Sequence, residues 1–68
     1  MNNKQLAAAR RVMASYPTLM IDKSGEKLTP YLKSQPHTEG AVVTVSDTMG
    51  EGTVAQLLAV SCEALVNG

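Results

Sequence analysis

Apolar residues recur at helical spacing through the start of the chain. Leu6, Ala9, Val12, Met13 and Tyr16 share one side, Lys4, Arg11 and Ser15 fall opposite, and Arg10 sits on the flank. Three consecutive alanines raise helix propensity, and Asn3 offers a side-chain oxygen as N-cap. Pro17 ends the element, because the residue before a proline is pushed out of the α region. The pattern predicts an amphipathic helix from Asn3 to about Tyr16.

The spacing then changes. Residues 18–22 (Thr-Leu-Met-Ile-Asp) read as a short strand, and residues 22–25 carry turn chemistry ending in Gly25. Residues 26–34 admit two readings. Residues 26–29 can return as a second strand, or Thr29-Pro30 can act as an N-cap and first helical position for a single turn over residues 30–34. A polar connection over residues 35–40 leads into residues 41–46, a β-branched run with Ala41, Val43 and Val45 on one face.

Residues 47–52 form a glycine-containing loop, after which Thr53 and Gln56 have the spacing of a capping box. The helix predicted from there ends at Asn67-Gly68. It is apolar almost all round. Val54, Leu57, Leu58, Ser61 and Leu65 cover one arc, Ala55, Cys62 and Val66 the next, and Val60 and Ala64 lie on the other side. Only Gln56 and Glu63 make a polar seam. A small domain buries one such face on its sheet, and a second copy is the simplest cover for the rest. Leu58, Cys62, Leu65 and Val66 are the expected oligomer contacts.

Composition strengthens that expectation. The chain has 68 residues and neither Phe nor Trp, so its core is assembled from small side chains. Its one cysteine cannot form an internal disulfide, and no ligand cluster for a structural metal is visible. Oligomerisation is the remaining means of stabilisation. The first residues lack the apolar core of a signal peptide, and residues 54–66 are too short and too interrupted to span a bilayer, so a cytoplasmic protein is expected.

Charge is divided between the halves. All six Lys and Arg lie in residues 1–33 with two acids, giving +4; residues 34–68 hold four acids and no cation, giving −4. Such asymmetry speaks of association, either between the halves or with a partner. Lys4, Arg10 and Arg11 are the candidate partner-binding cations. Three cations without interleaved aromatics are a poor nucleic-acid footprint, so nucleic acid is not expected as a partner.

Candidate chemistry is sparse. Gly50, Gly52 and Thr53 open a helix, where free N–H groups attract anions, and Arg10 could complete a site for a small anionic ligand or nucleotide. Asp47 and Glu51 oppose that, and the spacing fits neither a P-loop nor a dinucleotide fingerprint. His37 sits among loop residues without an evident nucleophile and orienting acid. Cys62 lies within an apolar helix as a structural thiol. Glu39, Asp47 and Glu51 lack the order of a calcium loop. No catalytic residue, metal site or cofactor is therefore assigned.

The expected fold is a single α+β domain, residues 1–68, of order α-β-β-α, with both helices on one face of a short antiparallel sheet. The expected function is a non-enzymatic, homo-oligomeric interaction module. It would act as an accessory or inhibitor protein docking on another protein, of the phage or mobile-element kind that short chains of this type commonly represent. The alternative is an anionic-ligand or nucleotide sequestering protein.

Overall fold

A computed structural model describes residues 1–68, in the order α1 (Asn3–Ala14), β1 (Leu19–Ser24), β2 (Lys27–Leu32), β3 (Val43–Thr44) and α2 (Glu51–Asn67). The strands form one antiparallel sheet in the order β1-β2-β3. This is a small α+β fold, and the strand beyond the expected α-β-β-α order is β2, in the segment for which the sequence left two readings open. Both helices lie on the sheet face that carries Leu19, Leu28, Val43 and Val45, α1 towards β1 and α2 over β2 and β3. Ala9, Val54, Leu58 and Cys62 close the core from the helix side.

Helix α1 starts one residue earlier than the sequence suggests. Asn2, not Asn3, is the N-cap: its side chain accepts from the Gln5 N–H, and Gln5 Oε1 accepts from the Asn2 N–H, each at 2.9 Å. Gln5 is also buried. Its Nε2 donates to the carbonyls of Ser46 and Met49 at 2.9 Å, pinning the loop that feeds α2.

Residues 27–32 resolve the open alternative in favour of a strand, so the turn over residues 30–34 does not form. Ser24-Gly25-Glu26-Lys27 makes a two-residue hairpin with Gly25 at φ 64° and no other residue at positive φ, the pattern of a II′ turn. Pro30 is tolerated because it faces Ile21 in a pair without ladder bonds, while its carbonyl accepts from Gly40 on the other side at 2.8 Å.

The β-branched run contributes less strand than expected. Leu28 pairs with Val43 and Tyr31 with Glu39, so four steps on one strand oppose three on the other, which is a one-residue bulge. The Ala41 carbonyl accepts from Ser61 Oγ at 2.6 Å. Ala41 is consequently exposed rather than sharing the buried face of Val43 and Val45.

Helix α2 begins at Glu51 with Gly50 as N-cap and no side-chain cap bond. The predicted Thr53–Gln56 capping box is absent, because Thr53 already lies inside the first turn. The loop carbonyls held by Gln5 bring the chain into the helix before it reaches Thr53.

Candidate functional site

A groove without charged lining runs between α2 and the outer edge of β3. At about 100° per residue, α2 buries the arc of Val54, Leu58, Ser61 and Cys62. The neighbouring arc of Leu57, Val60 and Ala64 faces outwards. Val60 is 63% exposed and Leu57 42%, and Val42 beside β3 is 53% exposed. Together they line a cavity of about 290 Å³ that contains no charged side chain.

Local structure sets the depth of this groove. Gly40 lets the chain pass close under α2: a Cβ there would lie 2.9 Å from Pro30 Cγ and 3.0 Å from Ser61 Oγ. With the Ser61–Ala41 bond, this holds residues 40–42 against the helix and turns Val42 outwards. The far side of β3 has no strand neighbour.

The oligomer contacts expected from the sequence are only partly on this surface. Leu58 and Cys62 are fully buried within the protomer, and Leu65 is half-buried against the core. Neither Leu58 nor Cys62 can meet a second copy while the protomer is folded. Val66 is exposed, about half a turn away from the Leu57–Val60 arc. The helical wheel already separated Val60 and Ala64 from the core arc; what it lacked was which arc the sheet would take.

The expected basic patch divides as well. The helical period places Lys4 and Arg11 on one line of α1 and Arg10 about 120° away. Arg10 turns to β1 and lines two clefts there, while Lys4 and Arg11 are exposed without lining a cleft. No Lys or Arg side chain comes within 4.0 Å of an acid; the one ion pair joins the Met1 ammonium to Asp47 at 3.8 Å. Apart from that terminal pair, the cations of the basic half and the acids of the other half do not pair within the protomer.

The anion site is not assembled. Gly50, Gly52 and Thr53 are exposed, Glu51 occupies the first turn, and no cavity contains any of the three together with Arg10. His37 is exposed in the connection after β2. Cys62 Sγ lies 3.8 Å from Met13 Sδ, and burial, followed by the charge of Glu63, pushes its thiol pKa up. No three His, Cys, Asp or Glu side chains converge on a point that could hold a metal, and no helix is long and apolar enough to cross a membrane. In comparisons with known proteins the chain matches no family model, no curated protein and no solved structure.

Proposed function

We propose that this chain is a non-enzymatic interaction module that self-associates and, as an accessory or inhibitor protein, docks on another protein. The observation that carries the reading is the exposure of Val42, Leu57 and Val60 around one uncharged groove. Contiguous apolar surface of this kind marks protein contacts. Its neutrality permits self-association, because two copies related by a two-fold axis bring no like charges together. The open β3 edge beside it supplies peptide groups for the same contact. A cytoplasmic setting suits the single, buried thiol.

Two features weigh against the anion-binding alternative. Glu51 sits at the helix entrance where the anion would rest, and Arg10 faces β1 instead.

Sedimentation equilibrium tests the reading. The wild type should exceed its 7.2 kDa protomer mass across the micromolar range, and Val60→Glu should return it to that mass. A wild type that remains at 7.2 kDa throughout overturns the self-association.

A further inference from the structure

We infer that the cleft along the outer edge of β1 is a docking site for an extended acidic segment of a partner protein, added to the sheet as a fourth strand under α1. This inference rests on the reading of the chain as a protein-docking module and names the partner's chemistry.

The edge is open in a defined way. The Lys33 N–H donates to the Thr18 carbonyl at 3.1 Å, which sets the phase of the β1–β2 ladder. By antiparallel alternation the peptide groups of Met20, Asp22 and Ser24 face β2, and those of Ile21 and Lys23 face outwards. Leu19 gives its N–H to the Tyr16 carbonyl at 2.9 Å and keeps its own carbonyl on the open side. β1 has no strand neighbour beyond β2.

The cleft follows this edge. Two adjacent cavities of about 320 and 170 Å³, both lined by Arg10 and Ile21, lie along the channel between α1 and β1. The larger is lined by Leu19, Met20 and Ile21, three consecutive residues of β1. Six residues of β1 at ~3.3 Å each give an edge of roughly 20 Å, enough for a segment of about six residues.

Charge selects the occupant. Arg10 lines both cavities, Lys23 lines one and Lys33 the other, and no acidic residue lines either. None of these cations is paired within the protomer. A second copy docking edge to edge would set this cationic cluster against itself, so it is a poor occupant. Nucleic acid would find no aromatic side chain in the channel on which to stack a base. An extended peptide satisfies the free peptide groups, and carboxylates on it meet the three cations.

Fluorescence anisotropy with a labelled heptapeptide of alternating glutamate and valine tests this. Saturable binding is expected to the wild type and to Val60→Glu, with at least tenfold weaker binding to Arg10→Glu. Methylating alternate peptide nitrogens, in either phase, tests strand addition without altering the protein: one of the two phases should abolish binding. A lysine–valine counterpart should not bind. No saturable binding of the acidic peptide, equal binding of both methylated forms, or equal binding of oligothymidine with the same dependence on Arg10 would overturn the proposal. A wild type that stays at 7.2 kDa yet binds the peptide removes only the self-association reading. One that self-associates and ignores the peptide removes only this one.

Discussion

Each edge of the sheet lies beside a helix, but the two edges are equipped differently. On one side α1 sets Arg10 beside the six residues of β1, with Lys23 and Lys33 also lining the channel. On the other, α2 sets Leu57 and Val60 beside a β3 of two residues, with no charge in the groove. The long edge is the one guarded by like charge, which opposes pairing with itself. The short edge is neutral and relies on side-chain burial. The division runs with the chain: the basic half builds α1, β1 and β2, and the acidic half supplies β3 and α2. The proposed roles follow this difference, with a partner of opposite charge at β1 and a second copy at β3.

The largest effect expected lies within α2 and separates its inner face from its outer one. Leu58→Ala opens a cavity in the core and should cost about 2–5 kcal/mol in urea denaturation. Leu57→Ala, one residue away on the groove, should change protomer stability by no more than ~0.5 kcal/mol in dilute solution while weakening self-association. Similar losses from both would mean that the outer arc is not a free surface.

Salt should then divide the two sides. Raising ionic strength screens exposed charges, so binding of the acidic peptide at β1 should fall, whereas self-association through the apolar groove should hold or strengthen. Arg10→Glu should leave the sedimentation behaviour unchanged. If it weakens assembly, the basic channel takes part in the contact between copies and the two edges are not separate in role.

A smaller effect distinguishes the two helix entrances. Asn2→Ala removes a capping box seen at both of its hydrogen bonds and should cost about 1 kcal/mol. Thr53→Ala should stay within ~0.5 kcal/mol, because Thr53 is exposed and makes no cap bond. Reversed values, measured by thermal unfolding, would restore the entrance that the sequence suggested for α2.

These entrances also show what could be read in the chain. Helix α1, the apolar character of α2 and the helix-on-sheet layering follow from local periodicity, and all three are legible. Thr29-Pro30 misleads because its helical signature is local, whereas its strand state depends on pairing with residues 19–24 and 40. Gln5 reads as one more polar helical position; its bonds to Ser46 and Met49 span more than forty residues and leave no local pattern. The same holds for Ser61, whose bond to Ala41 spans twenty residues. The edges proposed for docking are the least legible part. Lys4, Arg10 and Arg11 look like one cluster in sequence, and only the position of β1 shows that Arg10 belongs with Lys23 and Lys33.

The smallest expected effect concerns the seam that joins the two sides. Tyr16, two residues beyond α1, donates from Oη to Glu63 Oε1 of α2 at 2.6 Å. That hydrogen bond, then burial, then the negative charge of Glu63 raises the phenol from 10.0 to about 12. Because the folded-state value is the higher one, the bond's contribution is complete below pH 10 and is lost as the pH rises through about 12. Tyr16→Phe should therefore destabilise the protein by a constant amount from neutrality to about pH 10, and the difference from wild type should vanish by about pH 12. The bond is exposed, so the difference at neutrality should be small. Spectrophotometric titration in a Tyr31→Phe background reads the phenol directly. An ionisation at the ordinary phenol value, with no pH dependence in the stability difference, would mean that α1 and α2 are not tied at this seam.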